Sequence, residues 1–190
     1  DHIVEYVVAT LERQRDLKGK HVLVTAGPTV EDIDPARFIS NRSSGKMGFA
    51  LARAASERGG EVTLISGPTE LKFPGTVRVR TTDEMRDAVL KHLPDANVVI
   101  KAAAPMDFRP TSTSSQKIKK EAGLKLAFEP TPDILGDIGR SKNGTVLVGF
   151  AAETENHIEF GIKKLRSKNL DLIVINDVSG PHSAFEGETS

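Results

Sequence analysis

The chain has 190 residues, 38% hydrophobic and 27% charged, which is apolar material enough for one folded core and excludes a chain disordered throughout. Lysine plus arginine equals aspartate plus glutamate at 26 each, so no overall field draws the protein to nucleic acid, and an anion site has to come from local clustering of cations. The lack of cysteine excludes a disulfide framework, a cysteine-ligated zinc site and a cysteine nucleophile. With no membrane-length apolar run and no signal-peptide pattern, the expectation is a cytoplasmic chain that meets neither membrane nor nucleic acid.

In chain order, Ile3, Val7 and Leu11 recur at helical spacing. Residues 1–18 therefore read as a linker helix from a missing upstream domain, with the domain itself at 19–190. His21 to Ala26 (HVLVTA) reads as a buried strand ending in Gly27-Pro28-Thr29, a turn that brings backbone close to a ligand. Val30 to Asn41 reads as a long loop carrying Arg37 and Asn41. Ser43-Ser44-Gly45-Lys46 then opens a helix that runs to Gly59-Gly60. The start of that helix offers N–H groups, a hydroxyl cap and the positive dipole end to an anion, worth about 0.3–1 kcal/mol when exposed; the same residues also suit a plain N-cap.

Glu61 to Ser66 and Val77 to Thr81 give the second and third strands, and Asp83 to Leu93 a helix capped by Thr82 or Asp83. Asn97 to Ala104 (NVVIKAAA) is a fourth strand whose three alanines let another molecule lie against the backbone. Pro105 ends regular pairing and Asp107 puts a carboxylate at the rim. The polar run Thr111 to Gln116 then delivers Lys117, Lys119 and Lys120 on a mobile segment, suited to covering an anionic ligand or simply to solvation. Leu124 to Glu129 alternates as a return strand behind these lysines, and Thr131-Pro132-Asp133 starts a helix. Thr145 to Ala152 is a fifth parallel strand. A helix follows from Glu155 or Asn156 to Lys168, where Lys164 and Lys168 share a face that is either an anion site or solvated surface. Leu170 to Ile175 is the sixth strand, ending in Asn176-Asp177.

This alternation predicts an α/β fold: a Rossmann-like, doubly wound, mainly parallel sheet with helices on both faces and a lysine-bearing flap. The ligand belongs at the carboxyl ends of the first and fourth strands, where Gly27-Pro28-Thr29 meets Ala102 to Asp107. Neither common nucleotide motif is present. One glycine follows the first strand where a dinucleotide fold wants G-x-G-x-x-G, and Ser40 and Met47 break a Walker A pattern around Gly45-Lys46. The residues alone indicate an anionic, phosphorylated ligand. A Rossmann-like NAD(P)-dependent oxidoreductase and a non-catalytic nucleotide-binding domain stay open as alternatives.

Taken together, TAGPTVEDIDPARFISNRSSGKMGFALA, AAAPMDFRP, KIKK, PDIL, VGFAAET and NLDLIVINDVS closely resemble phosphopantothenoylcysteine synthetase of bacterial coenzyme A biosynthesis. Where many members read A-A-V-A-D-[FY], this chain has Ala103-Ala104-Pro105-Met106-Asp107-Phe108, and where many read N-P-D-I it has Thr131-Pro132-Asp133-Ile134. The resemblance implies CTP-dependent ligation of 4'-phosphopantothenate with L-cysteine. The pantothenate carboxylate attacks the α-phosphorus to give an acyl-cytidylate and pyrophosphate, and the cysteine amine then displaces CMP.

It also implies the site. Gly27, Ala102, Ala103, Ala104 and Asp107 fall to the nucleotide, with Phe150 at base or ribose, Pro132, Asp133, Ile134 and Leu135 as a helix start against it, and Lys164 and Lys168 as anion contacts. Lys117 is the principal catalytic cation on the triphosphate. Asn41 holds the acyl-cytidylate for amine attack, assisted by Arg37, Ser43, Ser44 and Gly45. Mg2+ accompanies CTP, with Asp107 as its protein ligand. The resemblance further implies a homodimer whose interface involves the lysine-bearing stretch, an upstream decarboxylase domain holding a flavin, and a C-terminal part shortened relative to family members.

Overall fold

The computed structural model describes residues 15–120, 123–153 and 156–177. The expected linker helix, apart from its last residues, and the segment after Asp177 lie outside these. At the centre is β1 (His21–Ala26), whose residues after His21 are all buried, as expected of a parallel strand covered on both faces. Parallel strands flank it: β4 (Glu61–Ser66) and then β5 (Val77–Arg78) on one side; β6 (Val98–Lys101), β9 (Val146–Glu153) and β10 (Leu172–Asp177) on the other. The order β10-β9-β6-β1-β4-β5 is the doubly wound arrangement, with the direction of winding reversing between β1 and β6.

The alternation of side chains along β1 divides the core. Val22, Val24 and Ala26 pack with Phe49, Ala52 and Ala55 of helix α1 (Lys46–Glu57). Leu23 faces the other way, into a cluster with Met85 and Val89 of α2 (Thr82–His92) and Ile134, Leu135 and Ile138 of α3 (Ile134–Ser141). Leu165 of α4 (His157–Ser167) packs against that same cluster. Helices therefore cover both faces. Helix α1 comes unusually close to β1 because Gly48 lacks a side chain: a Cβ there would lie 2.5 Å from Ala26 Cβ and 2.8 Å from the Thr25 carbonyl oxygen.

Several expected boundaries shift. The loop expected from Val30 to Asn41 contains a hairpin, β2 (Val30–Asp34) and β3 (Arg37–Ser40), whose acidic residues hid it: Glu31 and Asp34 are buried, with backbone N–H partners. The third strand is shorter than expected, and the fourth stops at Lys101, so that the three alanines lie beyond the sheet. The return strand expected at Leu124 to Glu129 is reduced to β8 (Phe128–Pro130), paired antiparallel with β7 (Phe108–Pro110). The N-caps are Gly45 for α1, Thr81 for α2 and Asp133 for α3, which puts Pro132 just before the helix and not in its first turn.

Candidate functional site

The carboxyl ends of β1 and β6 are tied together by their own backbone. Pro28 and Ala104 form an isolated parallel bridge, the Ala104 N–H donates to Gly27 O at 3.0 Å, and the Ala103 N–H donates to Thr25 Oγ1 at 3.1 Å. Two threonine hydroxyls, that of Thr29 buried and that of Thr131 half-buried, hold the next stretch. Thr29 Oγ1 accepts from the Met106 N–H at 2.8 Å, and the Thr131 hydroxyl donates to Met106 O at 2.6 Å. Asn41 Nδ2 closes the turn by donating to the carbonyls of Ala104 (3.0 Å) and Pro105 (2.9 Å). The segment from Ala102 to Asp107 is thus a fixed wall, as a site that recognises a ligand through backbone requires.

That wall borders a cavity of about 450 Å³. Facing it are Asn41 and the start of α1 from Ser43 to Gly48, with Phe150, Lys164 and Asn176 completing the lining. Gly45 turns the chain into α1 at φ 79°, a left-handed conformation that favours glycine, and a Cβ there would lie 3.2 Å from Gly27 Cα. The hydroxyls of Ser43 and Ser44 accept from the N–H groups of Gly45 and Lys46. A second hollow of about 360 Å³ shares Lys101, Pro105, Asp107 and Lys164 with the first and extends to Pro132, Asp133, Ile134, Leu135 and Lys168. Most expected site residues therefore gather in two hollows with a common wall, and Gly27 lies buried beneath Gly45.

Two of them do not. Arg37 and Lys117 line a separate hollow with Ile118, Lys119 and Lys120. There the buried Asp34 carboxylate accepts from the N–H groups of Ala36 (2.8 Å) and Ile118 (3.1 Å) and pairs with Arg37 Nη2 at 2.8 Å, which also donates to Ile118 O. Burial works against that carboxylate's charge, but the two N–H donors and Arg37 outweigh it and hold the Asp34 pKa below the usual carboxylate value. Arg37 thus fastens the residue after Lys117 to the β2–β3 hairpin.

The backbone of Ala103 and Ala104, two of the residues expected at the nucleotide, is engaged within the protein. Both N–H groups of Ala103 and Ala104 are donated inside the protein, and their carbonyl oxygens already accept from Lys101 Nζ and Asn41 Nδ2, which leaves each carbonyl one further lone pair. Lys168 is ion-paired with Asp133, which also caps α3 by accepting from the Gly136 N–H at 3.0 Å. Desolvation raises the pKa of Asp133, yet Lys168 and that N–H together bring it below the ordinary value. Lys164 donates to Phe150 O at 2.9 Å. Among the described residues no cluster of three His, Cys, Asp or Glu side chains could hold a metal, so a cation at Asp107 needs ligand oxygens to complete its shell.

The sequence reading passed over Lys101 and Asn176. Lys101 carried a usable signal: a lysine directly after Val98-Val99-Ile100, in a strand buried by both layers, is out of place unless it serves something. Burial, reinforced by the neighbouring Lys164 and opposed by Asp107 and Asp133, lowers its pKa to about 8.

Fold and site define a doubly wound α/β domain with a cationic cavity at the switch between β1 and β6. The profile of the DNA/pantothenate metabolism flavoprotein C-terminal domain family matches residues 17–190, and the chain belongs to that family. It is 46% identical over 184 residues to the coenzyme A biosynthesis bifunctional protein CoaBC of Bacillus subtilis (strain 168), a match covering 94% of this chain and 45% of that protein. The chain spans about half the length of the curated relatives it matches. The solved C-terminal domain of a coenzyme A biosynthesis bifunctional protein CoaBC superposes with a TM-score of 0.78 at 46% identity, over 86% of this chain and 80% of that one. A Cab2 mutant in complex with phosphopantothenate-cysteine shares the fold, with a TM-score of 0.70 at 18% identity over 93% of this chain and 80% of that one.

Proposed function

We propose that the chain is the ligase half of coenzyme A biosynthesis, joining 4'-phosphopantothenate to L-cysteine at the expense of CTP through an acyl-cytidylate. The observation that carries this is the convergence of Asn41, the start of α1 and the Ala102–Asp107 wall on one cavity, in a chain so similar to the C-terminal domain of CoaBC. The chemical difficulty is negative charge: a carboxylate has to approach a triphosphate in the presence of a second phosphate. Lys101, Lys164 and Lys46 border the first cavity and supply positive potential, and the start of α1 suits the substrate phosphate. The carbonyls of Ala103 and Ala104, which already accept from Lys101 and Asn41, use their second lone pairs to accept from the amino group of cytosine, which uracil lacks. Lys117 covers the triphosphate when its loop closes, with Arg37 and Asp34 holding the loop at Ile118. Asp107 is the residue that would hold Mg2+ together with phosphate oxygens, and the ion would neutralise charge on the triphosphate.

The same reading includes a homodimer and an upstream flavin-dependent decarboxylase domain. Pairing is supported by Phe38, Phe108 and Phe128, which stand 55%, 53% and 46% exposed on two ribbons that touch through β2 and β7. An NAD(P) oxidoreductase is disfavoured because a single glycine, Gly27, follows β1 where a dinucleotide site wants G-x-G-x-x-G. The test is pyrophosphate release with CTP, phosphopantothenate and cysteine, each omitted in turn. Release requires CTP and phosphopantothenate, and sustained turnover requires cysteine as well. Turnover without phosphopantothenate, or none with all three, contradicts the proposal.

A further inference from the structure

Thr82 lines neither hollow, yet the main chain that leads into Asp107 is built around its hydroxyl. It is the first residue of α2 and is 1% exposed. Its N–H has no partner within the helix, as at any helix start, and donates to the buried Glu31 carboxylate of β2 at 2.9 Å. The positive end of the α2 dipole favours a negative charge in that place. The Thr82 hydroxyl lies 2.8 Å from Thr29 Oγ1 and donates to Met106 O at 3.3 Å. A hydroxyl has one proton to give, so Thr29 is the donor between the two threonines, and Thr29 Oγ1 in turn accepts from the Met106 N–H. These contacts close a ring that holds Met106 at both its N–H and its carbonyl. From the other side Thr131 grips Met106 O through its hydroxyl and Asp107 O through its own N–H, at 2.9 Å. The Asp107 side chain, by contrast, is exposed and forms no hydrogen bond or ion pair among the described residues. The direction of its carboxylate is therefore set by the backbone on which it stands.

We infer that Thr82 is a positioning residue of the site: seated by Glu31, its hydroxyl fixes Met106 and so aims Asp107 at the two hollows, both of which Asp107 lines. What Asp107 does there rests on the ligase reading, in which it meets the divalent cation carried by CTP; the hold on Met106 does not depend on that reading. Groups that orient a coordinating carboxylate from behind change cation affinity about 10- to 100-fold when they are removed. Thr82 stands in that relation to Asp107, with one residue between the carbonyl it holds and the carboxylate it aims.

Calorimetric titration of CTP, once with Mg2+ and once with EDTA in its place, tests this on the parent, Thr82→Val, Thr82→Ser, Asp107→Asn and the double variant of Thr82→Val with Asp107→Asn. Valine keeps the shape of threonine without the hydroxyl, and serine keeps the hydroxyl. Thermal melting checks that each variant folds, and Thr82→Ala, smaller and equally without the hydroxyl, answers the same question if valine crowds the site. Mg2+ tightens the binding of CTP to the parent. Thr82→Val reduces that tightening about tenfold and leaves metal-free binding at the parent level, while Thr82→Ser recovers most of it. In the Asp107→Asn background Thr82→Val has no further effect. A parent response to Mg2+ in Thr82→Val overturns the inference. Equal losses with and without Mg2+, or the same loss in the Asp107→Asn background, overturn it too and leave the ligase reading standing. A parent response to Mg2+ in Asp107→Asn contradicts the place given to Asp107 by the ligase reading, and the inference falls with it.

Discussion

Gly48→Ala tests whether the closeness of α1 to β1 sets the cavity. The new Cβ would stand 2.5 Å from Ala26 Cβ, 2.8 Å from Thr25 O and 2.9 Å from Ala26 Cα, two of them backbone atoms of a central strand that cannot yield. Apolar contacts relax at about 3.5–4.0 Å, so the start of α1 has to move back by about 1 Å. Overpacking of this kind costs about 1–3 kcal/mol, against a gain of about 1 kcal/mol from replacing glycine in a helix, leaving a net loss of about 1 kcal/mol. At this chain length that is a fall in Tm of about 2–4 °C. The effect on catalysis is larger. The helix start lines the cavity from Ser43 to Gly48, and misplacing a positioning group by 1 Å lowers the rate by about 100-fold. Thermal melting and pyrophosphate release measure the two effects side by side. A variant with parent kcat/KM, whatever its Tm, would show that the helix start does not position substrate.

Lys117→Gln is expected to lower pyrophosphate release by about 10- to 150-fold, since a charge-assisted contact of about 1.5–3 kcal/mol is lost where charge develops; release at the parent rate makes Lys117 a solvated loop residue. Asn41→Asp withdraws both donors from the carbonyls of Ala104 and Pro105 and faces them with a negative charge. Two bonds of about 1 kcal/mol each raise the KM for CTP by about 30-fold, and an unchanged KM means the wall is held without Asn41. Asp133→Ala removes the α3 cap and the Lys168 pair, lowering stability by about 1 kcal/mol at neutral pH. Because the folded pKa of Asp133 is depressed below 3.8, its contribution is present above that value and disappears as pH falls through the folded pKa. Melts of parent and variant should converge only below about pH 4, and convergence already at pH 6 contradicts the assignment.

The sheet was legible because its central strands are continuous apolar runs: HVLVTA and EVTLIS form the strands β1 and β4 over the residues expected. The β2–β3 hairpin was not, since Glu31, Asp32 and Asp34 look like loop residues, and only the fold reveals that Thr82 and Ile118, 51 and 84 positions away, supply N–H partners for Glu31 and Asp34. The site separates in the same way. Its residue types could be read from motifs, but which backbone N–H groups remain for a ligand is decided by contacts such as Thr25 with Ala103, which join residues 78 positions apart. Lys101 was legible as a cation in a buried strand and was hidden by the alanines that follow it.

The central claim is that a carboxylate oxygen attacks the α-phosphorus of CTP and leaves with CMP. Phosphopantothenate labelled with 18O in its carboxylate, incubated with CTP, cysteine and the protein, tests it directly by mass spectrometry of the nucleotide product. The carboxylate oxygen that bonds phosphorus stays there when the amine takes the acyl carbon, so the account predicts CMP carrying one 18O and phosphopantothenoylcysteine carrying the other. Unlabelled CMP, formed while phosphopantothenoylcysteine accumulates, would contradict it.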